Sequence, residues 1–344
     1  MLERRHICAT LLGSLGALGV SACDAGAPPP DGERSTARAA AALSAGPEMP
    51  ARWERTLPWG EGEAGPRLHA GGFEDPTRGP DAVAVAPTGV ALILDQLGER
   101  VIAVGAEGSP WAVVAAPLDA MDLVAAADGG FGLWSKVRAR AWVHAATGES
   151  LGDMTVPRSF MFPERLSLAA RGWLRIHTDA QHTIELGSPN SPMQEWTARK
   201  SRRFGAAMLP DGRGAFVHVK DGQAMVQLLD QPNAKRDRPR VHASFEIRGE
   251  VNAARIVGSH QHAVCLRLER VESTPEIAVD RRAYCLDGTT GQAILDEALP
   301  APGIYTPHTE LAMNGDRLAF IRASGEGLRV MGWRVPATGE EVQP

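Results

Sequence analysis

The sequence predicts an all-β protein: a six-bladed β-propeller of four-stranded antiparallel blades, the last blade closed by the N-terminal strand. Three observations predict it. Residues 79–117, GPDAVAVAPTGVALILDQLGERVIAVGAEGSPWAVVAAP, read as four short apolar strands divided by Gly, Pro and Asp turns. Comparable segments recur downstream, their inner strands starting near Ala82, Asp122, Leu166, Gly205, Asn252 and Glu310. Most of these spacings fall near the roughly 40–50-residue period of a propeller blade. The last segment is one strand short, and one strand-like run near the start of the chain has no local partner.

In the first segment, residues 82–86 form the inner strand and Pro87-Thr88-Gly89 turns the chain. Residues 90–94, 100–105 and 111–116 supply the other three strands. A single meander of this kind cannot bury both faces, so it needs copies of itself alongside. The later inner strands are chemically alike: DLVAAA, LSLAA, GAAML, NAARIV and ELAM. Small side chains suit strands that converge on a central channel. Turns follow the inner strands in phase, as Asp128-Gly129-Gly130, Arg171-Gly172, Pro210-Asp211-Gly212, Gly258-Ser259 and Asn314-Gly315-Asp316. In the last segment residues 328–334 run into Pro336 and a polar tail. Residues 53–57 are the unassigned strand, and placing them as the outer strand of the sixth blade closes the ring and removes its exposed sheet edges.

Composition sets the outer limits. The 344 residues are 44% hydrophobic and 5% aromatic, with a formal charge of −5. That supports a sizeable core and argues against a nucleic-acid binder working through a global basic field. Residues 1–22 read as an export signal: Arg4 and Arg5, an apolar run over 7–20, then Val20-Ser21-Ala22 before Cys23. The apolar run is shorter than the ~20 residues of a membrane span. The small residues before Cys23 resemble a bacterial lipobox, which implies lipidation of Cys23, an anchor to the membrane and residence in the bacterial cell envelope. An ordinary signal with a chance cysteine is the plainer alternative. Arg4-Arg5 also resembles a loose twin-arginine signal, so the export route stays open. Residues 23–51 read as a flexible Ala/Pro/Gly linker with nothing to support a core, within which 39–43 could form a helical turn. Residues 52–336 form the propeller, and 337–344 a polar tail.

The first blade resembles an NHL-type repeat. A Pro-containing entry at Gly79-Pro80-Asp81, an inner strand, a Gly turn, a strand ending in Asp95 and an Arg100-Val101 strand follow in that family's order. The remaining blades lack the terminal Asp and the Arg-Val pair. The resemblance therefore implies a six-bladed propeller of the NHL-repeat and TolB-like kind. Endings such as Tyr284-Cys285-Leu286-Asp287 are similar to blades of quinoprotein-like propellers.

Cys265 and Cys285 fall in the second and third strands of the fifth blade, and a hairpin centred near Thr274-Pro275 sets them opposite one another. In an exported protein they are expected to form a disulfide. Cys8 leaves with the signal. His260 and His262 could share a strand face and contribute to a zinc site, but turn and surface positions are the plainer reading. Asp81, Asp122, Glu164, Glu250 and Glu310 lie at or near inner-strand entries, the end of a propeller where ligands usually bind. Arg202, Arg203 and His308 belong to the same mouth. Such carboxylates could hold a divalent cation or act as acid and base; the plainer role is bonding loop amides. Lys200, Arg202 and Arg203 with Phe160, Phe162 and Tyr305 could form a basic, aromatic patch. No cofactor or metal site is marked: the sequence has no nucleophile elbow, phosphate loop, haem site or His-Glu-x-x-His. Propeller lactonases and lyases place Glu, Asn, Asp or His ligands in the channel, and nothing here matches beyond the acids already named. Three functions follow: a non-catalytic binding or scaffold module holding a protein, peptide or glycan at the mouth, a structural part of an envelope complex, and a metal-dependent hydrolase or lyase.

Overall fold

A computed structural model describes residues 42–44, 49–60, 65–72, 75–158, 160, 163–178, 180–232, 238–273 and 277–337. The signal region, Cys23, Phe162 and the tail from 338 onward lie outside the described residues. Six antiparallel sheets form a ring. Blade 1 runs Ala82–Val85, Ala91–Asp95, Arg100–Val104 and Trp111–Ala115. Blade 2 runs Asp122–Ala125, Phe131–Ser135, Arg140–His144 and Ser150–Thr155. The inner strands of blades 3 to 6 are Pro163–Ala169, Ala207–Met208, Ala253–His260 and Leu311–Asn314. All six lie within a few residues of the positions read from the repeats.

The ring closes as the strand count requires. Arg52–Pro58 pairs antiparallel with Gly327–Arg334, from Arg52 opposite Trp333 to Pro58 opposite Gly327. Trp53 and Leu57 are 7% and 3% exposed. Gly332 is required under this strand because a Cβ there would enter the Trp53 indole. The Trp59 indole N–H donates to the Ser324 carbonyl at 2.8 Å and pins the end of the strand.

The resemblance in blade 1 has a local structural cause. Asp95 is fully buried; its carboxylate accepts from the Gly98 amide at 3.2 Å and faces Arg100 Nε at 3.1 Å. The pair fixes the turn between the second and third strands. Cys265 and Cys285 are register partners in Ala263–Ser273 and Ile277–Asp287 and are joined by a disulfide.

Blade 3 departs from the repeat. Its fourth strand is only Ser191–Pro192, and the helix Glu195–Lys200 takes its place. The helical segment contains no Gly or Pro, Glu195 pairs with Arg199 at 2.8 Å one turn away, and Ala198 is buried. The linker reading is corrected as well. Ala42–Ser44 form a helical turn in which Leu43 is 0% exposed within the apolar cluster between blades 1 and 2. The Thr88 hydroxyl donates to the Ala42 carbonyl at 2.7 Å, and Met49 packs against the clusters on both sides of blade 1. An isolated Leu among alanines carries no periodicity, so composition alone could not place it. The segment sits against Thr88 and Gly129, turns that leave the inner strands, on the face opposite the mouth.

Buried apolar clusters fill the seams between blades 1 and 2, 2 and 3, 4 and 5, 5 and 6, and 6 and 1. Among the described residues no such cluster spans blades 3 and 4. That seam is polar. The Gln181 amide group donates to and accepts from the Val217 backbone, and the Thr183 hydroxyl donates to the Gly205 carbonyl at 2.9 Å. Arg203–Phe204 adds a short strand pairing with blade 3. The backbones approach closely here, and a Cβ on Gly214 would collide with the Phe204 carbonyl.

Candidate functional site: the central channel

The small inner-strand side chains leave a channel cavity of about 340 Å³. Its two ends differ. At the far end Val85, Ala125, Leu168 and Met313 line it, and the Asn314 side-chain amide donates to the Val85 and Ala126 carbonyls, each at 3.0 Å. That bridge ties blades 6, 1 and 2 across the floor. The mouth end is charged, with Asp122, Arg165, Arg255, Arg267, His308 and Glu310. A second cavity of about 420 Å³ occupies the polar seam between blades 3 and 4. Arg175, Thr183, Met208 and Ser259 line both, so the channel is continuous with this side cleft.

Three of the eight candidate mouth residues reach the channel: Asp122, His308 and Glu310. Asp122 is 1% exposed and accepts from the Leu166 amide at 3.1 Å, the Leu123 amide at 3.0 Å and the Thr309 hydroxyl at 2.9 Å. It thereby joins blades 2, 3 and 6. Burial pushes its carboxyl above the usual range, against the pull of those donors and of His308. Glu310, 7% exposed, is held by Arg281 and Arg267. Asp81 lies one step outside the wall and accepts from the His308 amide at 3.1 Å. Burial raises its pKa too.

The other candidates are not on the channel wall. Glu164 is exposed and pairs with Arg255 at 3.8 Å. Glu250 is exposed and rests against the Gly222 turn. Arg203 lines the side cleft, while Arg202 lies 5.5 Å from the Phe204 ring. The basic, aromatic patch is dispersed rather than assembled: Lys200 covers Trp196 at 3.8 Å, Arg199 faces Phe160 at 5.8 Å, and Tyr305 donates to the Pro80 carbonyl at 2.9 Å on the blade 6 to blade 1 side. These side chains were drawn together by sequence proximity, whereas the ring sets each on its own blade. His260 ends an inner strand and His262 lies in the following turn. Among the described residues, no three His, Cys, Asp or Glu side chains are grouped to hold a metal.

Sequence reasoning missed the arginines. Arg165, Arg175, Arg255 and Arg267 line the channel, and all four lie in strands read only for their apolar residues. Period two was the available signal: Leu166 and Leu168 enter the cluster with blade 2, so Arg165 and Ser167 take the opposite face. Arg165 donates to the Val257 carbonyl and, at 2.7 Å, to the Ala206 carbonyl. Burial and the neighbouring Arg255 pull it down to about 10. It remains charged at neutral pH.

Beside it, His177 is 5% exposed and held between the Ser167 hydroxyl at 2.8 Å and the Thr183 hydroxyl at 3.1 Å. Burial, then the charges of Arg165, Arg175 and Arg255, depress its pKa well below the ordinary value. The native imidazole is therefore neutral. Its contribution to stability is intact above the unfolded pKa of about 6.5 and is lost as pH falls below that value. The melting temperature of His177→Asn is expected to fall less from about pH 7 to about pH 5 than that of the parent, and parallel pH profiles would contradict the assignment.

No protein-family model matches this sequence, and no curated protein does. Among solved structures, virginiamycin B lyase from Staphylococcus aureus is similar at a TM-score of 0.42 and 10% identity, with 81% of this chain and 99% of that chain covered. A gluconolactonase from Xanthomonas campestris is similar at a TM-score of 0.36 and 14% identity, covering 85% and 99%. The PQQ-bound aldose sugar dehydrogenase from Streptomyces coelicolor gives a TM-score of 0.38 and 14% identity, covering 84% and 100%. At these scores the likenesses carry no argument about chemistry.

Proposed function

We propose that this protein is a lipid-anchored binding propeller of a bacterial cell envelope, which captures its ligand in the central channel without transforming it. The observation that carries this reading is the state of the two channel carboxylates. Asp122 is committed to two backbone amides and a hydroxyl, and Glu310 to two arginines. For either carboxyl to work as acid or base it would have to be able to exchange its proton with substrate, and both are engaged in holding blades together. The anchor fits the same picture. The described start of the chain meets the propeller on the face opposite the mouth, so a lipid on Cys23 would leave the mouth directed away from the membrane. A second reading, a rim contact within an envelope assembly, is favoured by Leu118 and Val137. They are 59% and 75% exposed on adjoining mouth loops of blade 2, which Arg138 and Asp119 tie together at 2.8 Å.

Two experiments test the proposal. Alkyne-labelled fatty acid is expected in the mature protein and not in Cys23→Ser; label retained by that variant would overturn the anchor. Small molecules released on denaturing envelope-purified protein are expected from the parent and not from the channel-blocked variant Ser259→Trp. A released compound that the native protein converts on re-incubation would overturn the non-catalytic role.

A further inference from the structure

We infer that the channel selects a small anionic ligand, a polar molecule bearing one carboxylate or phosphate, and that Arg165, Arg175 and Arg255 receive its charge. This rests on the binding reading above and names the ligand class for the same site. The protein as a whole carries a formal charge of −5, yet four arginines and only two carboxylates line the channel. The surplus is local. Arg267 is matched by Glu310 and, with Arg281, shares Glu269. Arg255 pairs with Glu164 at 3.8 Å and Arg175 with Glu185 at 3.6 Å; Glu164 lies off the channel wall and Glu185 lines the side cleft. Arg165 has no carboxylate partner among the described residues. Asp122 is its negative neighbour in the wall, and the oxygens of Asp122 are occupied by two amides and a hydroxyl.

A guanidinium has five N–H donors in a planar fork. Two of those on Arg165 are fixed by the Val257 and Ala206 carbonyls, which hold the group rigidly and leave three for a guest. Fixing the fork beforehand removes much of the ordering cost of a bidentate contact with a carboxylate or phosphate. The seam between blades 3 and 4 supplies the reason for this arrangement. A hydrophobic cluster would have covered Arg165, but that seam is polar and its cleft joins the channel at Arg175 and Thr183. The hydroxyls of Ser167, Thr183 and Ser259 lie along the same wall; each is bonded within the protein, to His177, to the Gly205 carbonyl and to the Met208 carbonyl at 2.9 Å, so their oxygens can meet a polar body behind the anion only as acceptors. A cavity of about 340 Å³ is at the lower end of the range of small-molecule sites.

Calorimetry with the mature protein tests the inference, using glucuronate and glucose 6-phosphate as probes, glucose as the neutral counterpart and sulfate as the bare anion. Saturable binding of at least one acid is expected, more than tenfold tighter than glucose and weakening between 50 and 500 mM salt. The better acid identifies carboxylate or phosphate as the group received, and sulfate binding as tightly as either acid would overturn the role of the polar body. Arg165→Met is expected to weaken binding more than tenfold. Arg255→Gln, at a pair in which both side chains are 45% exposed, is expected to fold and to weaken binding severalfold, and covers the case in which Arg165→Met does not fold. Equal affinity for glucose and the acids, or unchanged affinity in Arg255→Gln, would overturn the anionic class while leaving channel binding standing. No binding of either acid at millimolar concentration would also overturn it, with the small-molecule release experiment still deciding the broader reading.

Discussion

Removing residues 1–60 is expected to abolish cooperative melting or to lower the melting temperature by more than about 15 °C. The strand Arg52–Pro58 is the only cover for the outer edge of Gly327–Arg334 among the described residues, paired with it over seven positions. Its loss exposes that edge, unpairs a ladder of backbone groups and uncovers the apolar surface beneath Trp53 and Leu57. Each of those side chains is worth about 1.5–3 kcal/mol in burial, and the total stability of a domain is about 5–15 kcal/mol. At about 2–4 °C per kcal/mol these two side chains account for about 6–24 °C, and the unpaired ladder adds to that. Truncations placed in series separate the causes. Removal through residue 41 should leave the melt unchanged. Removal through Pro50 should cost a few degrees, because Leu43 and Met49 leave the edges of the clusters around blade 1. Equal melting temperatures for the truncated chains starting at 51 and 61 would mean that the ring does not depend on its N-terminal strand.

Cys265→Ala/Cys285→Ala is expected to lower the melting temperature by about 6–12 °C. The two sulfurs close a separation of 20 residues, and restricting a loop of that length in the unfolded chain is worth about 3 kcal/mol in the chain-entropy picture, read through about 2–4 °C per kcal/mol. Both cysteines are buried in the cluster shared by blades 5 and 6, together with Trp333 and Phe320. The strands on which they sit also carry Arg267 and Arg281, the partners of Glu310. Loss of the bond should therefore loosen the channel wall next to the mouth. Thermal melts of parent and variant under non-reducing conditions measure it, and coincident melts would show that the bond adds nothing to the ladder around it.

What could be read from the sequence follows the physics of repetition. Strands with in-phase Gly and Asp turns repeat a local pattern, so six inner strands and the one strand missing from the last blade can be counted in the sequence. Cys265 and Cys285 were placed by hairpin symmetry, which depends only on the turn position. Three features were out of reach for related reasons. The helix Glu195–Lys200 substitutes for a strand because of one blade's packing. Leu43 lies in an alanine-rich stretch where its burial depends on two turns contributed by other blades. The arginines of the channel occupy alternate positions of short strands, where one polar residue among apolar neighbours reads as a surface position. Only the closed ring turns those positions inward, and only the polar seam between blades 3 and 4 leaves Arg165 without a carboxylate.

Anomalous diffraction from crystals soaked in selenate addresses the channel most directly, since selenium marks an oxyanion without assuming the natural ligand. The expected result is a leading anomalous peak inside the channel, within hydrogen-bonding reach of Arg165 and near Arg175 and Arg255. Peaks confined to the outer surface, with the channel holding none at saturating selenate, would contradict an anion-binding propeller.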